Sequence, residues 1–280
     1  MTKSWNDLAT LEEPRNDSGS NLLIIDGNNL SYRYIRRANY NSYSADYVRT
    51  VTSLAKSYDA ARSIVCFDYG KSYYRMAMYE DYKGNRNDND LSEEDKQKKQ
   101  EFFEVLNKLP EELPCETAKF RGLEADDSIT YLVEKLKSSY DHIWIVSSDK
   151  DLIQLVDSNV SIFNIFSRKE ITIDSLYDDL ELTPSEFMLS RIIEGDKGDN
   201  IIGIEGIGPK RAQSLAKEYK TLDSVLNALP IKGKAKYIQN LNAGKDKLIS
   251  NEKLINLKEY NQLAISASKE EDVLEELSKF

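Results

Sequence analysis

Three apolar runs in the sequence each finish in aspartate: NLLIID at Asp26, SIVCFD at Asp68 and IWIVSSD at Asp149, with Asp151 two residues further on. Glu124, Asp126 and Asp127 open the stretch LEADDSITYLVEKL, and Asp196 and Asp199 fall within EGDKGDN. One aspartate at the end of a strand or the start of a helix is ordinary turn and cap chemistry. That explanation is the better one for any single position, but it fails for the set. Acids crowded along one edge repel one another, and a fold holds them together only if cations bind there. Oxygen donors with almost no histidine or cysteine suit Mg²⁺ or Mn²⁺ rather than zinc. Two such ions about 4 Å apart suit in-line displacement at a phosphodiester, one activating water and the other stabilising the leaving oxygen.

Competing chemistries lack their residues. The one histidine, His142, opens the run HIWIV, the wrong end for a site at the carboxyl edge of a parallel sheet. The two cysteines, Cys66 and Cys115, have no ligand or disulfide spacing. IIDGNN lacks the second acid that a haloacid-dehalogenase phosphatase carries two residues before Asp-Gly, because position 24 is Ile.

The elements that must position these acids follow from the hydrophobic pattern. The runs at 21–27, 61–68 and 142–149 read as buried parallel-type strands, separated by helical stripes at 44–58, 101–109 and 123–136. Such strands present their carboxyl ends along one edge of the sheet. NVSIFNIF and KEITI, within 159–173, read as a hairpin. Beyond it only helical stripes follow, the first opened by Thr183, Pro184 and Glu186 in capping-box spacing. The expected fold is α/β, a mainly parallel central sheet flanked by helices with a helical C-terminal part. The expected division is an N-terminal arm at 1–20, an α/β domain at 21–182 and a helical part at 183–280. The polar stretch 80–100 reads as an insertion.

Composition sets the outer bounds. The 280 residues carry 38 Lys+Arg and 48 Asp+Glu, a formal net charge of −10. That total disfavours a polyanionic partner, unless bound cations offset the clustered acids and a basic surface lies elsewhere. No run approaches the ~18 apolar residues that span a bilayer. The segment MTKSWNDLATLEEPRNDSGS has no apolar core, so a cytoplasmic protein is expected, in the host cytoplasm if phage-encoded.

Two basic clusters stand out. YKGNR supplies Tyr82, Lys83 and Arg86 on good turn chemistry. A lysine within reach of the acids would stabilise the charge of a phosphodiester transition state, and Tyr82 could stack on a base. GIEGIGPKRA is neither a dinucleotide loop nor a P-loop, because Pro209 interrupts it, position 211 is Arg and no Gly-Lys-Ser/Thr closes it. It reads instead as a helix-hairpin-helix spanning about 187–220. There Gly203, Gly206 and Gly208 permit the turn, backbone N–H groups face a phosphate, and Lys210 and Arg211 add charge. Lys234, with Lys232 and Lys236 in IKGKAKY, extends that track or is simply a solvated loop.

IIDGNN, YKGNR, GLEADD, SSDKD, GDKGDN and GIEGIGPKRA, in this order, resemble the motif series of the 5′-nuclease (flap endonuclease) superfamily, and TKSW and KYIQNLNA add likeness to its bacteriophage branch. The resemblance covers essentially the whole chain, and its specificity comes from the order and spacing of motifs that are weak singly. It implies a structure-specific, sequence-independent nuclease acting at 5′ flaps and ends by a two-metal mechanism, with flap endonuclease and 5′→3′ exonuclease activity from one site. Carried over by motif, Asp26, Asp68, Glu124 and Asp126 would hold the first metal, and Asp127, Asp149, Asp151, Asp196 and Asp199 the second, with some carboxylates shared. Asp26, Asp68 and Asp149 would be catalytic together with Lys83 and Arg86, which in the family begin a helical arch, here about 83–110. Lys96, Lys98 and Lys99 would then face single-stranded DNA. The family's helix-three-turn-helix often also holds a monovalent cation, here K⁺. Expected cofactors are two or more Mg²⁺, with Mn²⁺ as substitute. Expected partners are branched or 5′-ended DNA with a single-stranded 5′ arm, RNA 5′ ends included, bound by a monomer away from membranes. A PIN-like ribonuclease and a non-catalytic DNA-binding replication module are the alternatives. The hairpin and arch weigh against the first and the intact acidic set against the second.

Overall fold

The computed structural model describes residues 20–35, 43–86, 92–268 and 272–280. The expected arm, apart from Ser20, and residues 87–91 of the expected arch lie outside them.

The three apolar runs form β1 (Asn21–Asp26), β2 (Ala60–Tyr69) and β4 (His142–Val146), with β1 parallel to both neighbours. β3 (Glu116–Arg121) extends the sheet beyond β2, and β5 (Val160–Asn164) beyond β4, both in parallel. β6 (Lys169–Ile171) finishes the edge antiparallel to β5. The order is β3-β2-β1-β4-β5-β6. Chain direction across the sheet therefore reverses between β1 and β4, and the crevice of such a sheet opens at the carboxyl ends beside that reversal. β3 escaped the hydrophobic pattern because it buries only Ala118 fully.

Alternation along the strands builds two cores. Leu22, Ile24, Ile64 and Cys66 pack with Ile129, Leu132 and Val133 of helix α5 (Ala125–Leu136). Leu23, Ile25, Val65 and Phe67 face the other way. They meet Tyr47, Val51 and Leu54 of α2 (Ser44–Ser57) and Phe102, Leu106 and Leu109 of α4 (Glu93–Glu112). Both faces are buried, which is why the strands are continuously apolar.

Helix α4 begins eight residues earlier than its apolar stripe suggests. Ser92 caps it by accepting the Asp95 N–H at 3.1 Å, three acids occupy the first turn, and Lys96–Glu93 and Lys98–Glu94 pairs brace the exposed part. A solvated half-helix needs no apolar face, so the pattern could not reveal it.

The C-terminal half is helical around a two-stranded turn. α7 (Pro184–Glu194) leads through β7 (Gly195–Asp196) and β8 (Ile201–Ile202) to α8 (Pro209–Tyr219), which packs back on α7. Thr183 and Glu186 complete the expected capping box at 3.3 and 2.8 Å, worth about 1 kcal/mol. α9 (Leu222–Ala228), α10 (Lys236–Ala243), α11 (Lys245–Ile255), α12 (Leu257–Ser266) and α13 (Val273–Lys279) follow. The last two leave the hairpin and return to the sheet layer, where Ala264, Ile265, Val273 and Leu277 pack against Leu123. Among the described residues no helix is long and apolar enough to cross a membrane.

Candidate metal centre and nucleic-acid interface

The carboxyl edge collects the acids. Asp26 ends β1 and caps the short helix Gly27–Ser31, accepting the Asn29 N–H at 3.0 Å and the Ser147 hydroxyl at 2.9 Å. Asp68, near the end of β2, accepts the Ala125 N–H at 2.7 Å, so the start of α5 is tied to the second strand. Asn28 accepts the Asp68 N–H at 3.2 Å, and Asn29 pairs with Ser148 through both its amide atoms. The Asp-Gly-Asn-Asn turn thus fixes the strand ends on either side of it. Asp149 accepts the Asp151 N–H at 2.8 Å and opens the 3-10 turn Asp151–Leu155.

Electrostatics divide these acids into two groups. Asp26, Asp68, Asp126 and Asp149 form no ion pair with a described residue, and they crowd one another. Burial and the charges of Asp68 and Asp149 push Asp26 up to about 7. Burial and Glu124 push Asp68 to about 6. Burial, Asp149 and Asp26 hold Asp126 well above the carboxylate range. The outer acids are neutralised by the chain itself. Arg191 donates to Asp151 at 3.1 Å and also bonds Asp196. Burial and Asp149 still leave Asp151 at about 7. Asp199 takes Arg86 at 2.6 Å and the Tyr82 hydroxyl at 3.0 Å. Glu124 takes Lys83 at 2.6 Å, the Tyr82 hydroxyl at 2.8 Å and Arg75 at 3.3 Å. Burial would raise Glu124, but Lys83 and Arg75 outweigh it and hold its carboxyl below the usual range.

Among the described residues no three acids stand in ligand geometry as they are. The donor set nevertheless fits hard divalent ions. It consists of carboxylate oxygens, and the inner four carry charge that nothing in the described chain pairs.

Two expectations need correction. Asp127 is not free to ligate: its carboxylate is fully buried, with both oxygens on Arg75 at 2.8 and 2.9 Å, and it also accepts the Glu124 N–H at 3.3 Å. It belongs to the base of the site. Tyr82 cannot stack on a base, since it is 2% exposed and its hydroxyl is committed to Glu124 and Asp199. Burial keeps that phenol protonated, a fixed donor between two acids. The Lys83 ammonium lies among Glu124 and Asp199, and its backbone is at φ 53°. Burial opposes its charge, but Glu124 and Asp199 more than compensate. The 81–86 turn is clasped to the 197–200 turn: Lys83 N–H to Asp199 O at 2.9 Å, Asn85 to Lys197 O at 2.7 Å, Arg86 to Gly198 O at 3.2 Å and Asn200 to Asp81 O at 2.8 Å.

Arg75 and Arg191 were not found from sequence. Neither belongs to a patterned motif, and only the fold brings them to the acids. Tyr32 was also passed over. Its ring, 45% exposed, stacks on Phe102 at 5.7 Å beside Asp68, Arg86, Lys99 and Lys83. His142 lies at the start of β4 against Trp144, far along the strand from Asp149.

The glycine-rich segment forms the turn between α7 and α8. A Cβ on Gly203 would meet Glu194 O at 1.9 Å, and Gly206 sits at φ +82°. Gly208 caps α8 and borders open space. Lys210 and Arg211 are exposed on the first turn. Arg211 donates to Gly206 O at 2.8 Å and lies 4.8 Å over the Tyr237 ring. Lys234 is exposed just before α10.

Two family models match: the 5′-3′ exonuclease N-terminal resolvase-like domain over residues 21–181 and the 5′-3′ exonuclease C-terminal SAM fold over 182–275. The chain is similar to the flap endonuclease of Escherichia phage T5, 38% identical over 100% of this chain and 97% of the relative. It is also similar to a 5′-3′ exonuclease of Mycoplasmopsis pulmonis (strain UAB CTIP), 29% identical over 92% and 90%. Among solved structures, the bacteriophage T5 flap endonuclease in a pseudo-enzyme-product complex with DNA and metal ions superposes with a TM-score of 0.87, covering 92% of this chain and 97% of that one at 38% identity.

Proposed function

Because the chain belongs to the 5′-3′ exonuclease family, we propose that it is a divalent-metal-dependent 5′-nuclease that hydrolyses DNA at 5′ flaps and ends. The observation that carries this is the inner quartet Asp26, Asp68, Asp126 and Asp149, without an ion-pair partner in the described chain, whose mutual repulsion once ionised is relieved by bound cations. Asp26, Asp68, Glu124 and Asp126 would hold one ion, and Asp149, Asp151, Asp196 and Asp199 the other, with some carboxylates shared. Mg²⁺ suits this oxygen donor set, with Mn²⁺ as substitute. When bound, the ions supply a nucleophile at neutral pH and stabilise both ends of an in-line displacement.

The chain's own residues do the rest. Lys83, held at φ 53° between Glu124 and Asp199, is placed to swing toward the scissile phosphate and offset its extra charge as the acids turn to the ions. Arg86, 56% exposed, is free to follow. Tyr32 offers an open aromatic face at the rim for an unpaired base. Duplex DNA would lie along the α7–α8 turn, with Lys210, Arg211 and Lys234 on phosphates, and Gly206 and Gly208 permitting close approach. K⁺ at that turn and action as a cytoplasmic monomer complete the proposal.

Cleavage of a 5′-flap DNA with Mg²⁺, and its loss in EDTA, tests the assignment. Asp149→Asn is expected to lower turnover at least 10²-fold, roughly the scale of a lost transition-state contact, while flap binding persists. Undiminished cleavage by this variant would remove the role given to that strand end. Cleavage of single-stranded RNA in preference to the flap would favour the PIN-like alternative.

A further inference from the structure

The acid-bearing segments come from distant parts of the chain, yet three of them, the start of α5, the Asp149–Asp151 turn and the hairpin of Asp196, are tied to one short stretch that carries no acid ligand, the elbow Leu254–Leu257 between α11 and α12 and the helices flanking it. Arg75, on the helix Tyr73–Met78, uses two of its nitrogens on Asp127 and Glu124 and points its Nε at Leu254 O, 3.1 Å away. Asn261, one turn beyond the elbow, donates to Asp127 O at 2.9 Å. On the other side, Gln154 of the 3-10 turn donates to Asp151 O at 2.7 Å and Ile255 O at 3.0 Å, and accepts the Leu257 N–H at 2.9 Å. Asn251, before the elbow, donates to Ile192 O and Ile202 O at 3.0 and 3.1 Å, gripping the hairpin that carries Asp196. Arg75, Gln154, Asn251 and Asn261 are 4–6% exposed, and Leu254, Ile255 and Leu257 are buried.

Buried amides and guanidinium groups with all these partners met are costly to displace, because each donor pulled away is stranded without water. The elbow is therefore a rigid strut. One end fixes the start of α5, with Glu124 and Asp126. The other fixes the Asp149–Asp151 turn, and Asn251 adds the Asp196 hairpin. We propose that this elbow sets the separation of the two ion half-sites, with Arg75 and Gln154 as positioning residues. Neither side chain touches an ion or DNA in this scheme. Each holds a ligand-bearing backbone or carboxylate in place, as groups behind metal ligands do elsewhere. The proposal rests on the metal-site assignment above.

The test uses the full-length protein freed of metal and titrated with Mn²⁺ alone, followed by electron paramagnetic resonance of free and spin-coupled bound Mn²⁺. Gln154→Met removes the three amide bonds at similar length. Arg75→Lys keeps the buried charge beside Asp127 but loses the fork. Urea unfolding in EDTA is run in parallel. Each variant is expected to bind the second Mn²⁺ about tenfold more weakly and to show an altered coupled spectrum at saturation. Cleavage of the flap should recover as Mn²⁺ is raised. A residue that served stability alone would lower the urea midpoint and leave Mn²⁺ affinity and coupling as in the parent, and that result overturns the strut. A parent that binds no Mn²⁺ overturns the metal assignment and the strut together, whereas two coupled ions in the parent and equally in both variants overturn the strut only.

Discussion

Lys83 and Tyr82 are neighbours in sequence and opposites in role. The ammonium of Lys83 is held by acids that ions would draw away, whereas the Tyr82 phenol is buried and bridges Glu124 to Asp199. Lys83→Ala is expected to reduce single-turnover cleavage about 10²–10³-fold with flap affinity changed severalfold at most, as measured by quench-flow and anisotropy. An equal loss in both would make Lys83 a binding group only. Tyr82→Phe removes one donor from each of two acids that keep their cationic partners, and should destabilise the protein by about 0.5–1.5 kcal/mol in urea without weakening DNA binding. Unchanged stability would contradict the bridge from its hydroxyl to Glu124 and Asp199. At this scale the sequence was most informative where an acid ended an apolar run, as at Asp26, Asp68 and Asp149. Asp127 shows the limit. Its letter is the same, but the partner that removes it from the ligand set, Arg75, lies 52 residues away with no pattern linking the two.

Elements were legible where burial imposed a period. β1, β2, β4, the 159–173 hairpin and the Thr183 cap all follow from side-chain alternation or cap spacing. β3 and the first half of α4 were not legible, because one is mostly polar and the other solvated, and neither needs an apolar face to persist. The glycine-rich turn is legible in composition but not in the division of labour among its glycines. Gly203→Ala would drive a Cβ onto Glu194 O, whereas Gly208→Ala meets nothing. The first is expected to cost several kcal/mol, in the range of severe backbone conflicts, and the second about 1 kcal/mol from the poorer cap. Chemical denaturation of the two variants checks this ordering, and equal losses would contradict the turn as described.

For the whole molecule, the net charge of −10 conceals a concentrated internal debt of repulsion at the sheet edge. Asp26 and Asp151 stand at about 7 and Asp68 at about 6 in the folded protein, against 3.8 as their ordinary value. The folded state therefore holds more protons than the unfolded chain between those limits, and stability falls as pH rises through them. Below about 3.8 these groups impose no such loss, and above about 7 the loss is complete. In EDTA, the melting temperature is expected to decline from pH 5 to pH 7.5 on account of these groups. Mg²⁺ should restore it more at pH 7.5 than at pH 5, where protons compete for the same oxygens. Calorimetry at both pH values decides, and a Mg²⁺ effect equal at the two would argue against ions at these acids. None of this could be seen in the charge count, which does not say where acids meet.

The most direct test of the central claim is anomalous diffraction from crystals of this protein grown with 5′-flap DNA and Mn²⁺. Two peaks about 4 Å apart, bounded by Asp68, Asp126 and Asp149 on one side and Asp151 and Asp196 on the other, are the expected result. A carboxylate edge without Mn²⁺ beside well-ordered DNA, or ions only at other positions, would contradict it.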